Sequence, residues 1–109
     1  MLSIIVPCNN EESCIQECLD ALVAQRALPA DHSMQVIVAA NGCQDRTVPI
    51  AREMAPKLKA AGYDVLVLDI PVGHKVNALN EAETRATHRN RAFVDADVVL
   101  GPGLLVELA

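Results

Sequence analysis

Apolar positions along this chain follow two rhythms. Short, nearly continuous runs occur at residues 2–7 (LSIIVP), 34–40 (MQVIVAA), 64–70 (DVLVLDI) and 91–94 (RAFV). Such β-branched runs, bounded by turn residues, predict four buried strands. Between them the apolar positions recur at helical spacing. Ile15, Cys18, Leu19, Leu22 and Val23 mark one face of a first helix. Asn9 and Glu12 stand at capping-box spacing and predict the start of that helix. Pro29 and the polar ADHS that follows it close the connection to the second strand. The NGCQDR stretch, residues 41–46, reads as a turn, Thr47 as a cap, and Pro49 as a first-turn residue of a second helix. Pro56 predicts a kink or a split near Ala55, and Gly62 a helix stop. A third helix is expected from about residue 75 to about residue 88, with Val76, Leu79, Ala82 and Ala86 inward.

The predicted order is β-α-β-α-β-α-β, with a final helix opened by Pro102. Continuous strands alternating with amphipathic helices imply a mostly parallel sheet covered on both faces. In such sheets ligands bind beyond the carboxyl ends of the strands. The polar residues collect there: Asn9, Asn10 and Glu11 after the first strand, Asn41 to Asp45 after the second, Asp95 and Asp97 after the fourth. Asp69 and the turn from Gly73 to Lys75 fall on the same edge.

The chain has 109 residues, enough for one small core, and 51% of them are hydrophobic. Tyr63 and Phe93 are its aromatic residues, so aliphatic side chains must fill the interior. The net charge of −5, with nine scattered basic residues, argues against nucleic acid as a partner. No apolar run approaches the ~20 residues of a membrane span. Met1 leads directly into a strand pattern without a signal peptide, so the expected compartment is the cytoplasm, at large or at the inner face of the membrane. Cys8, Cys14, Cys18 and Cys43 form no C-x-x-C pair and read as small buried hydrophobes rather than zinc ligands or a disulfide framework.

Asp-x-Asp straight after an apolar strand suits a hard divalent cation, because Mg²⁺ or Mn²⁺ takes one or two carboxylates and completes its shell with phosphates. We expect a tight turn to bring Asp95 and Asp97 to one cavity. Lys75 opens a helix just after Gly73, where a cation beside unpaired amides suits a phosphate. His32 and His88 read as loop or helix-end residues, and His74 lies near the site without a ligand role. The GxxxxGK[ST], GxGxxG and GxSxG motifs are absent, which removes P-loop, dinucleotide-binding and nucleophile-elbow readings.

Four segments in series, SIIVPCNNEE, VIVAANGCQDRT, GHKVNALN and FVDADVVLGPGLL, resemble family-2 glycosyltransferases with the GT-A fold, from residue 2 to about 105. The resemblance implies a Rossmann-like α/β three-layer sandwich with strand order 3-2-1-4. It implies that Pro7, Asn10 and Glu11 line a nucleotide pocket. Asn41 stands where the family carries an aspartate that contacts the base, followed by Gly42, Cys43, Gln44, Asp45, Arg46 and Thr47, and the resemblance implies that Asp45 too belongs to the nucleotide site. An amide can donate or accept, so nucleotide binding is implied while the base stays open. Lys75, reached through an inserted His74, corresponds to the lysine near the diphosphate. Asp95 and Asp97 correspond to the Asp-x-Asp that holds the ribose and the Mg²⁺ or Mn²⁺ of the bound diphosphate.

The implied reaction moves a sugar from a nucleotide diphosphate sugar to an acceptor hydroxyl with inversion. The acceptor is not specified by these motifs. The family's catalytic base lies beyond the Asp-x-Asp, outside this chain, so no catalytic residue is assigned. Residues 1–109 are therefore expected to be the N-terminal, donor-binding half of a truncated GT-A domain. Its fourth strand would be an open edge, and we expect a homodimer that covers this edge or the last helix. Two other readings compete: a non-catalytic nucleotide-binding module or half-enzyme completed by another chain, and a receiver-type domain using Glu11, Glu12 and Asp69, which fits poorly.

Overall fold

The computed structural model describes residues 2–25, 34–70 and 75–97, with the backbone alone for residues 75–78. Its elements run β1 (Leu2–Cys8), α1 (Ile15–Val23), β2 (Met34–Asn41), α2 (Thr47–Ala60), β3 (Tyr63–Ile70), α3 (Lys75–Arg85) and β4 (Asn90–Phe93). The expectations that fall on Pro29, on His32, on Gly73 and His74, and on the helix from Pro102 lie outside the described residues. The four strands form one parallel sheet in the order β3-β2-β1-β4. Leu2 to Cys8 pair with Met34 to Ala40, and Leu2 to Ile5 pair with Asn90 to Phe93.

Strand alternation divides the interior into two layers. Leu2, Ile4, Val6 and Cys8 of β1 and Met34, Val36, Val38 and Ala40 of β2 face a large core completed by Ile15, Cys18, Leu19 and Leu22 of α1 and Val48, Ala51, Met54 and Leu58 of α2. Ile5, Ile37 and Ala39 point the other way, onto Ala82 of α3, with Leu79 and Ala86 at the margin. β1 and β2 are buried along their whole lengths, which is why they read as unbroken apolar runs. On α1 the expected face is buried except for Val23, which is half-buried.

Two predicted breaks resolve differently. Gly62 takes φ 110°, a left-handed conformation that glycine adopts without steric cost, and its N–H donates to the Lys59 carbonyl, ending α2. Pro56 does not split α2, which is continuous from Thr47 to Ala60. The proline and Arg52, whose carbonyl loses its helical donor, are both exposed, so water can supply the missing bond.

The α3 face carries a buried polar network that the sequence reading did not find. Ser3 Oγ donates to Gln35 Oε1 at 2.8 Å, and Gln35 Nε2 donates to the Arg85 carbonyl at 3.2 Å. The Thr87 N–H also donates to Gln35 Oε1, at 2.9 Å, and the His88 N–H to Ser3 Oγ, at 3.2 Å. These bonds end α3 at Arg85, short of the expected residue 88. Gln35→Ala leaves several of these groups unpaired and is expected to lower stability by about 1–3 kcal/mol. A change below ~0.5 kcal/mol in urea unfolding would show that the network contributes no stability.

β4 pairs only with β1 among the described residues, and its Phe93 is 55% exposed. Arg91 meets Glu83 of α3 at 2.7 Å, a partly exposed pair of small energetic weight. No helix among the described residues is long and apolar enough to cross a membrane.

Candidate functional site

Three connections leave the carboxyl edge of the sheet side by side: residues 9–14 after β1, 42–46 after β2 and 94–97 after β4. The first two are stitched together. The Asn9 side-chain amide donates to the Asn41 carbonyl. The Gln44 N–H donates to Asn10 Oδ1 at 2.8 Å, and the Asn10 N–H to Cys43 Sγ at 3.4 Å. The Glu11 N–H donates to Thr47 Oγ1 at 2.8 Å, and the Glu12 N–H to Asp45 Oδ2 at 3.1 Å. Asn10 and Gly42 take φ of 54° and 62°. Both residue types reach this left-handed region more easily than others, which lets the two chains turn toward each other.

These bonds replace two expected caps. Asn9 and Glu12 form no capping box, because Asn9 is drawn to the end of β2 and Glu12 to Asp45. α1 starts only at Ile15, with Cys14 as N-cap and no side-chain cap bond. Thr47 is the first residue of α2 rather than its cap. The Thr47 N–H donates to Asp45 Oδ1 at 2.9 Å, as does its hydroxyl, so Asp45 takes up the free amide. The signal for this was present in the Asp-x-Thr spacing.

Both oxygens of Asp45 are thus held by the protein. Slight desolvation raises its pKa, but the hydrogen bonds from Thr47 and Glu12 outweigh it and hold the carboxyl below its ordinary 3.8. A folded pKa below the unfolded one adds stability above the unfolded value, and that stability is lost as pH falls through the folded one. The stability advantage of the native chain over Asp45→Asn should therefore shrink as pH drops below 3.8. Parallel urea-unfolding midpoints of the two proteins across acid pH would contradict this.

Asn41, expected as a turn residue beside a base, is the buried last residue of β2. Its side-chain amide donates to the Cys8 carbonyl at 3.4 Å, which orients the group across the β1–β2 boundary. Pro7 is buried within β1, while Asn10 is exposed and Glu11 half-buried on the loop that follows. Asp69 is an exposed residue inside β3, not a loop residue. Lys75 is the first residue of α3.

Asp95 and Asp97 follow β4, where the Val94 N–H still donates to the Ile5 carbonyl at 2.9 Å. Val94 and Ala96 are buried, and both aspartates are exposed. Ala96 and Asp97 form a turn beyond the end of β4, with the buried Ala96 between the two exposed carboxylates. The Cys18 thiol donates to the Asp95 carbonyl at 3.8 Å and anchors this segment on α1. Burial, and then the Asp97 charge, push that thiol up to about 11. Among the described residues no group of three or more metal-binding side chains converges. Two exposed carboxylates without a third protein ligand fit a cation that phosphate oxygens and water complete, not an all-protein cage.

The chain is 38% identical over 100 residues to a dolichyl-phosphate beta-glucosyltransferase of Drosophila melanogaster, covering 88% of this chain and 30% of that protein. The fold superimposes on S. aureus TarS 1–349 in complex with UDP with a TM-score of 0.80 and 28% identity, covering 98% of this chain and 30% of the other. It also superimposes on the mannosyltransferase PcManGT from Pyrobaculum calidifontis in complex with GDP-Man and Mn2+, with a TM-score of 0.74 and 30% identity, covering 88% of this chain and 27% of that one. The chain therefore spans less than a third of the length of each of these relatives. The sheet order and the helices on its two faces are those of GT-A glycosyltransferases. The sequence profile of glycosyl transferase family 2 matches residues 3–109, which takes in the sheet from Ser3 onward and the three described loops at its carboxyl edge, and the chain belongs to that family.

Proposed function

We propose that residues 1–109 are the N-terminal donor-binding half of a GT-A domain. It binds a nucleotide diphosphate sugar with Mg²⁺ or Mn²⁺ for inverting transfer to an acceptor hydroxyl. The observation that carries this is the meeting, at one sheet edge, of the exposed Asp95 and Asp97 with the stitched loops that bear Asn10 and Glu11 and with Asn41 at the end of β2. The UDP complex of one superimposed enzyme and the GDP-Man and Mn2+ complex of the other support a nucleotide as the ligand.

Pro7, Asn10, Glu11 and Asn41 would line the nucleotide, with Asn41 facing the base. Lys75 would approach the diphosphate, Asp95 the ribose and metal, and Asp97 the metal. Asp45 is a positioning residue in this reading, since its carboxylate is already taken by Glu12 and Thr47. A bound divalent cation supplies the positive charge that neutralises the departing diphosphate.

The test is thermal unfolding of the chain with UDP, GDP, CDP and ADP, each with and without Mn²⁺. The expected result is a metal-dependent rise in Tm with one nucleotide, which names the base. No rise with any of them would refute donor binding by this chain.

A further inference from the structure

Two of the four cysteines meet at the end of β1, although they do not stand in the spacing of a metal or redox motif. Cys8 is the buried last residue of β1, and Cys43 is a half-buried residue two places beyond the end of β2. Cys43 stands directly beside Cys8. The Cys43 thiol also donates to the Cys8 carbonyl at 3.8 Å, and Cys43 packs against the core cluster that contains Cys8. The Asn10 N–H donates to Cys43 Sγ at 3.4 Å. Cys43 is thus the more accessible partner of the pair. Cys8, by contrast, is pushed up to about 12 by burial, then by the neighbouring Cys43 and Glu11.

We propose that Cys43 and Cys8 form a thiol-modification site, at which a low-molecular-weight disulfide such as oxidised glutathione converts the pair into an intramolecular disulfide. The Cys43 thiolate attacks one glutathione sulfur, forming a mixed disulfide and releasing one glutathione thiolate. Cys8 then loses its proton to solvent and attacks Cys43 Sγ, releasing the second glutathione. The two cysteines lose two electrons and two protons, and the glutathione disulfide is reduced to two thiols.

A sulfur–sulfur bond of ~2.05 Å is far shorter than any thiol contact. Closing it draws Cys43 toward β1, away from the Asn10 N–H, and disturbs the adjacent bond from the Gln44 N–H to Asn10 Oδ1. These bonds set the two loops assigned above to the nucleotide. Oxidation should therefore weaken nucleotide binding, a consequence that rests on the donor-binding reading.

The test incubates the chain in glutathione buffers of rising oxidised fraction, followed by intact mass, peptide mapping and nucleotide-induced Tm shift. The expected result is a loss of two hydrogen atoms, a Cys8–Cys43 cross-linked peptide, and a nucleotide shift lost on oxidation and restored by dithiothreitol. Cys43→Ser should abolish the mass loss, while Cys14→Ser keeps it. Stable glutathione adducts without the internal link, or a link through Cys14 or Cys18, would overturn the site. An internal link that leaves the nucleotide shift unchanged would overturn its control of the pocket. A reduced chain that binds no nucleotide but still forms the link would count against the donor-binding reading and in favour of the thiol pair.

Discussion

Leu19→Ala is expected to lower the unfolding free energy by about 3–5 kcal/mol, the range for a buried leucine whose cavity cannot collapse. Leu19 is fully buried, in the middle of the one face by which α1 meets the sheet. Ile15, Cys18 and Leu22 pack beside it in the same cluster. None of them can move into the void without breaking its own packing, because the β1 and β2 side chains opposite are buried as well. A domain of this size is held by only about 5–15 kcal/mol, so the substitution removes a large share of the total. Urea unfolding of the purified variant checks it. A loss below ~1 kcal/mol would show that α1 is not seated on the sheet through this face. The effect reaches the site, because the Tyr63 hydroxyl donates to the Leu22 carbonyl at 2.7 Å and Cys18 holds the Asp95 carbonyl. Loosening α1 loosens the segment that carries both aspartates.

The second large effect is on ligand response. If the cation joins Asp97 to the diphosphate, Asp97→Asn should remove the Mn²⁺-dependent part of the nucleotide shift and leave the ligand-free Tm nearly unchanged. A ligand at a hundredfold excess over its Kd stabilises the folded state by ~2.7 kcal/mol. For a domain of this size that is roughly 10–20 °C in Tm. The ligand-free protein should hardly notice the substitution, because the Asp97 side chain is exposed. Asp20→Asn, an equally exposed change on α1, should keep the full shift. A Mn²⁺-dependent shift that survives in Asp97→Asn would remove this residue from the metal site.

The sheet was legible because its physics is local. A strand buried on both faces must be apolar at successive positions, and β1 and β2 are buried throughout. β3 was legible for a different reason. It is mostly half-buried, yet its aliphatic run still stands out against the polar turns around it. The apolar faces of α1 and α3 followed from helical spacing, and the α2 stop from one glycine. Pro56 leaves α2 unbroken because a proline's cost depends on whether water can reach the orphaned carbonyl, and that depends on which face of α2 the core occupies.

The caps failed for a related reason. Capping rules count residues along one chain, whereas Asn9, Asn10, Glu12 and Asp45 found partners more than thirty positions away. A parallel register of Cys8 against Ala40 brings the two loops within hydrogen-bonding reach, and nothing in either loop alone predicts it. The Ser3–Gln35 network was invisible in the same way, since a polar residue in a strand pattern normally signals an exposed face.

By itself, then, the amino-acid sequence determined the succession of strands and helices, the edge at which polar residues collect, and the motifs that resemble family-2 glycosyltransferases. Periodicity and motif spacing are properties of contiguous residues, and they survive without knowledge of the fold. The tertiary structure alone decided which oxygens and thiols are spoken for. It assigned the carboxylate of Asp45 to the protein, left Asp95 and Asp97 exposed, and set Cys43 against Cys8. Each of those outcomes depends on pairing between distant segments, whose hydrogen bonds form only once the sheet has fixed their register.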